Sequence, residues 1–231
     1  RKLHPFNDDW LFAPKTVGFR QPDSLFEPVT LPHTNRLFSH RTVYEDDYQF
    51  ESTYRKHFTL PENLNGQRAF LDFEGAMLLS RVYLNEELVG QHAGGYTAFS
   101  MEITQQLQDG SNTLQVLLDS RELPAIPPNG FRLDYLSFGG IYRDVKLRLV
   151  EAIHIEDVFV RPQNVLSSPE VRVDVRINQL APGLKLAGAI RDGEGKQIST
   201  IEIGVAAAET TITFAPTPGV DLWSIEKPIL Y

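Results

Sequence analysis

The chain of 231 residues contains no cysteine. Disulfides, thiolate metal ligands and thiol nucleophiles are therefore excluded. Long apolar runs are also missing. No stretch reaches the roughly 18 residues that a membrane-spanning helix needs. Arg1–Pro5 leads into Asn7-Asp8-Asp9-Trp10 and not into the apolar segment of a secretory signal, and no Asn-x-Ser/Thr acceptor occurs. These absences give the expectation of a protein with no membrane partner, cytoplasmic in a bacterium rather than secreted. Positive charge is scarce as well, with 22 Lys and Arg against 30 Asp and Glu, a net charge of −8. A nucleic-acid partner requires a basic surface to displace counterions, so that function class is set aside.

The usual signatures of a self-contained active site are missing too. There is no G-x-S-x-G nucleophile elbow, no H-E-x-x-H or H-x-x-x-H pair and no G-x-x-x-x-G-K-[ST] phosphate loop. The six histidines, His4, His33, His40, His57, His92 and His154, are scattered and read as structural. The acidic run Glu45-Asp46-Asp47 reads as a solvated turn, with a sugar-contacting rim as the alternative. No catalytic residue, metal ligand or cofactor is assigned.

What the sequence does contain is period-two alternation. Thr53–Leu60, Arg68–Glu74, Arg81–Leu84, Leu88–His92, Thr113–Leu118 and Val145–Val150 read as strands. Asn85-Glu86-Glu87 and Asp109-Gly110-Ser111-Asn112 supply turns between them. A second set follows at Ile153–Val160, Val171–Ile177, Leu184–Leu186, Ile198–Ile203 and Thr210–Phe214, with Asp192-Gly193-Glu194-Gly195 as a hairpin turn and another strand expected to start at Leu230-Tyr231. Short strands at regular spacing predict an all-β chain of two sandwiches, residues 1–150 and 151–231, the second being short for an immunoglobulin-like fold and so expected to be incomplete. The long segment from Pro127 to Val145 joins a proline-rich loop to a strand through Gly139-Gly140, and its aromatics suit stacking on a sugar face.

Within that segment Gly139-Gly140-Ile141-Tyr142-Arg143-Asp144-Val145 resembles the G-G-I-x-R-x-V signature of glycoside hydrolase family 2. Leu31-Pro32-His33-Thr34, with Asn35 replacing the usual Trp, is similar to that family's LPHTW element. Tyr54–Phe58, Phe73–Gly75, Val82–Asn85, Gly94–Phe99 and Leu222–Tyr231 resemble its YRKTF, FEGV, VWLNG, GGYTPF and LWSPENPYLY elements, in the same order. The resemblance implies a sugar-binding jelly roll followed by part of an immunoglobulin-like domain. The family's two catalytic glutamates reside in a (β/α)₈ barrel that these residues do not include. It further implies a retaining β-glycosidase, most closely a β-galactosidase, with a carbohydrate substrate, that barrel as partner and homo-oligomers as a possible assembly. Asp134 matches the family's sugar-binding Asp, against a turn-capping alternative, and Tyr135 and Phe138 would line the same pocket unless they serve the core. Tyr48–Ser52 holds no Asn where large β-galactosidases place a sugar contact. Arg143 is expected to anchor the domain by a salt bridge or through carbonyls. A freestanding carbohydrate-binding module and an immunoglobulin-like scaffold are the competing readings.

Overall fold

A computed structural model describes residues 1–37, 44, 47–127, 129, 136–215 and 220–230. The chain forms two compact units, Arg1–Glu151 and Ala152–Tyr231. The named elements are all strands, apart from a 3₁₀ turn at Asp23–Leu25. The all-β expectation therefore holds.

The first unit contains β1 (Lys2–Pro5), β2 (Trp10–Ala13), β3 (Glu27–Val29), β4 (Glu51–Phe58), β5 (Arg68–Phe73), β6 (Leu79–Leu84), β7 (Glu87–Ala93), β8 (Phe99–Glu102), β9 (Asn112–Asp119) and β10 (Val145–Val150). They form two antiparallel sheets, ordered β1-β10-β5-β8 and β3-β2-β4-β9-β6-β7. Alternation puts Ala69, Leu71 and Phe73 of β5 on the same face as Val145, Leu147 and Leu149 of β10. These pack against Trp10, Phe12, Tyr54, Val82, Leu84, Leu114, Val116 and Leu118 of the other sheet in one buried cluster. Each such large apolar side chain contributes about 1.5–3 kcal/mol on burial, so this cluster is what makes the two sheets a sandwich.

β4 departs from alternation, because Ser52 through Lys56 are all buried. The cause is a cover over its outer face. Arg55 donates to the carbonyls of Gly18, Phe19 and Gln21, to Asp23 Oδ1 at 2.7 Å and to Gln115 Oε1. Its guanidinium carbon also lies 4.4 Å from the centroid of Phe26. A buried charge is tolerated only when its donors are satisfied. Here they tie the segment before β3 onto the sheet.

The second unit contains β11 (Ile155–Gln163), β12 (Glu170–Ile177), β13 (Lys185–Arg191), β14 (Gln197–Gly204) and β15 (Glu209–Phe214). A sheet ordered β11-β12-β15 and a β13-β14 hairpin enclose Val173, Val175, Ile177, Leu186, Ile212 and Phe214. Asp192 shapes the hairpin turn by accepting from the backbone N–H groups of Glu194 and Lys196. The strand expected to begin at Leu230 is not seen, since residues 220–230 form none, and Tyr231 lies outside the described residues.

Asp72 of β5 and Arg148 of β10 form a two-pronged ion pair at 2.6 and 3.0 Å, and Ser100 donates to the same carboxylate. Burial alone would raise the pKa of Asp72, but the hydrogen bonds and charge of Arg148, with Ser100, bring it below the ordinary carboxylate value. A carboxyl depressed in the folded state adds stability above its unfolded pKa of about 3.9, and that stability is lost as pH falls through the folded value. Chemical denaturation from pH 7 to pH 3 should therefore show Asp72→Asn less stable than the parent at neutral pH, with the gap closing at acid pH. A gap independent of pH would refute this account.

Candidate functional site

The loop end of the first unit is built on a short backbone ladder outside the sheets. His33 N–H donates to Ile141 O and Asn35 N–H donates to Gly139 O, each at 2.9 Å. Met77 N–H donates to Gly140 O at 3.0 Å, forming an isolated bridge beside the cis Met77–Leu78 peptide. The two glycines make this approach possible. A Cβ on residue 139 would lie 2.2 Å from Ser120 Oγ and 2.3 Å from Asn35 Nδ2. Gly140 has φ +119°, and a Cβ there would lie 2.4 Å from the His33 carbonyl oxygen. Both conditions admit glycine alone. The G-G of the motif is thus explained by backbone contact and not by ligand contact.

The ladder is held from below by buried polar groups. Asn35 donates to Tyr48 O at 2.8 Å, and Ser120 Oγ donates to Met77 O at 2.8 Å. His33 Nδ1 and the Tyr54 hydroxyl share a hydrogen bond of 2.8 Å. Burial lowers the pKa of His33, which keeps the ring neutral, and raises that of Tyr54.

Above the ladder lies an open cavity of about 700 Å³, lined by Thr34, Arg36, Leu37, Met77, Tyr96, Leu136, Ser137, Phe138 and Tyr142. Its walls are mostly apolar and aromatic, with a few polar groups, as small-molecule sites generally are. Tyr142 is fixed by donating its hydroxyl to Gly95 O, and burial raises its pKa. Phe138 is 39 % exposed, and its ring centroid is 6.1 Å from that of Tyr48.

Of the three residues assigned to sugar contact from sequence, Phe138 lines this cavity. Asp134 and Tyr135 lie outside the described residues, as do Glu45 and Asp46 of the acidic run. The third member of that run, Asp47, closes a turn by accepting from Tyr44 N–H at 3.2 Å. Arg143 does not anchor the domain as expected. It is exposed, and its guanidinium carbon sits 5.7 Å from the Tyr142 ring centroid, without an ion pair among the described residues. Sequence reasoning missed Met77, Tyr96 and Tyr142 as wall residues. Two of them stand inside elements already singled out, Tyr96 after Gly94-Gly95 and Tyr142 after Gly139-Gly140. An aromatic directly after a glycine pair was the available signal. Among the described residues no carboxylate lines the cavity, and no group of three or more His, Asp or Glu is arranged to hold a metal.

The first unit is thus a two-sheet sandwich with an aromatic-walled cavity at its loop end, and comparison with known proteins places it in a family. Residues 37–128 match the family model "Glycosyl hydrolase 2 galactose-binding domain-like". A β-galactosidase of Thermoanaerobacter pseudethanolicus is 35 % identical over all of this chain and 32 % of its own length. A putative β-glucuronidase of Formosa agariphila is 27 % identical over the whole chain and 28 % of its own length. The crystal structure of a Bacteroides uniformis β-glucuronidase superimposes with a TM-score of 0.86 at 27 % identity, over 99 % of this chain and 29 % of that one. The chain belongs to glycoside hydrolase family 2. It spans about a third of the length of the curated relatives it matches.

Gly139→Ala tests the construction of the site. Overpacking a well-filled position costs about 1–3 kcal/mol. Urea denaturation should show a loss in that range, with a larger loss for Gly140→Ala, where the blocking atoms are backbone. Full stability in both variants would show that the ladder is not as described.

Proposed function

We propose that this chain is a non-catalytic part of a retaining β-glycosidase that releases terminal β-linked sugars, β-galactosides foremost. The observation that carries this reading is the alignment of the entire chain with β-galactosidases, at 35 % identity with the Thermoanaerobacter enzyme and 31 % with that of Thermoanaerobacterium thermosulfurigenes. The physical chemistry agrees. Retaining hydrolysis needs two carboxyl groups about 5–5.5 Å apart across the scissile bond. Among the described residues the cavity walls supply none, and the acid/base and the nucleophile are assigned to a (β/α)₈ barrel in the longer protein.

The role left to the present residues is to shape the substrate site. Asp134 accepts hydrogen bonds from hydroxyls of the terminal sugar. Tyr135 and Phe138 add aromatic surface beside it, and the cavity wall from Tyr96 to Tyr142 continues that surface. Asp134 acts as an acceptor only, and its charge makes those bonds roughly twice as strong as neutral ones.

Nitrophenyl β-galactoside, β-glucuronide and β-mannoside test the proposal. Residues 1–231 alone should release no nitrophenol from any of them, while the longer protein should hydrolyse the galactoside fastest. In that longer protein Asp134→Ala should lower kcat/KM by roughly 10- to 100-fold, the loss expected for a hydrogen bond to a charged group. Turnover by residues 1–231 alone would overturn the reading. Preference for the glucuronide would retain the reaction class and change the sugar.

A further inference from the structure

The outward face of the β11-β12-β15 sheet carries a second concavity, of about 450 Å³, made entirely from residues of the second unit. The strand register lays out its floor. Since Val173, Val175 and Ile212 point into the core, their neighbours in sequence point outward. Asp157, Phe159 and Arg161 of β11 pair with Arg176, Asp174 and Arg172 of β12, and these pair with Glu209, Thr211 and Thr213 of β15. Of these nine outward positions eight are polar or charged. The exception is Phe159, on the central row beside Asp174 and Thr211, with 58 % of its surface exposed.

The polar groups around the ring fall into two sets. Asp174 is saturated by pairing with Arg161 and Arg172 and by accepting from Thr211 Oγ1 at 2.6 Å. Arg176 pairs with Glu156 at 3.2 Å, through Nε. Asp157 and Glu209, which line the concavity, take part in no ion pair among the described residues. They present free carboxylate acceptors, and Arg172 and Arg176 add guanidinium donors. Three arginines, Arg161, Arg172 and Arg176, stand among four acids, Glu156, Asp157, Asp174 and Glu209, so charges of both signs are interspersed and no cluster of one sign is built to hold an ion.

We propose that this face is a second carbohydrate-binding site, separate from the cavity of the first unit, and that it takes a neutral sugar chain. The negative face of an aromatic ring attracts the positively polarised C–H groups on the apolar side of a pyranose. The carboxylates and guanidiniums ringing Phe159 then hydrogen-bond adjacent hydroxyls, with the acids accepting and the arginines donating. A volume of about 450 Å³ falls inside the range of small-molecule sites, about 300–1,000 Å³. Since none of its residues enters the first unit, the site stands whether or not the glycosidase reading does.

Native electrophoresis of residues 1–231 through gels containing β-1,4-galactan, xylan, hydroxyethyl cellulose or polygalacturonate tests the proposal. At least one neutral polymer should retard the chain, with the apparent affinity falling tenfold or more in Phe159→Ala and in the shape-preserving pair Asp157→Asn with Glu209→Gln. Phe138→Ala, in the first unit, should leave the retardation unchanged. Circular dichroism establishes that each variant is folded, and the Asn/Gln pair decides the matter if Phe159→Ala is not. No retardation by any neutral polymer would overturn the proposal. So would retardation by polygalacturonate alone, retardation that survives the second-unit substitutions, or retardation abolished by Phe138→Ala.

Discussion

The short ladder between residues 33–35 and 139–141 is the contact on which the candidate site depends. It joins two segments about a hundred positions apart, and it forms only because residues 139 and 140 have no side chain to obstruct it. Each strand of the ladder carries wall residues outward from itself, Thr34, Arg36 and Leu37 on one side and Leu136, Ser137, Phe138 and Tyr142 on the other. Met77 is bridged to the same ladder and supplies the floor between them. Backbone pairing thus does the positioning, and the side chains are left free to define what the cavity accepts. A glycine pair that looks like a flexible linker in sequence acts here as a fastening.

Strands were legible from sequence where one face met the core and the other met solvent. β5 and β10 show this best, since Asp72 separates Leu71 from Phe73 and Arg148 separates Leu147 from Leu149. β1, β2, β3 and β8 escaped notice, being only three or four residues long. β2 hides its period further, because Trp10, Phe12 and Ala13 are all buried. β4 was recognised, but the burial of Arg55 was not foreseeable, since its partners Gly18, Phe19, Gln21 and Asp23 lie more than thirty residues away in a segment without a strand signal. Local pattern reveals which residues share a face. It does not reveal that a distant loop will cover that face.

The same limit applies to the site. The segment around Gly139-Gly140 was identified by its proline, glycine and aromatic content, and Phe138 does line the cavity. Met77 gave no such signal, because its position depends on a bridge to Gly140 that has no trace in the sequence around it. Arg143 misled for a related reason. A charged residue inside a motif suggests an ion pair, but the described contact of Arg143 is with the ring of its neighbour Tyr142.

The two units treat the outer faces of their sheets in different ways, and this difference bears on function. In the first unit the segment at residues 18–26 closes over β4, and Arg55 spends its donors on carbonyls and on Asp23. A face treated in this way is structural, since its polar groups have been satisfied from within. In the second unit the face around Phe159 stays open, and Asp157 and Glu209 remain without ion pairs among the described residues. Water can satisfy those carboxylates, so they need no partner for stability. An exposed phenyl ring has no such compensation, because leaving it in water forgoes about 1.5–3 kcal/mol of burial. Alternation would have tolerated a threonine or a charged residue at position 159, as it does at the other eight outward positions. The ring already holds the Arg161 guanidinium carbon 5.4 Å from its centroid, and with 58 % of its surface exposed it still offers apolar area to a ligand, the role that its polar surroundings fit.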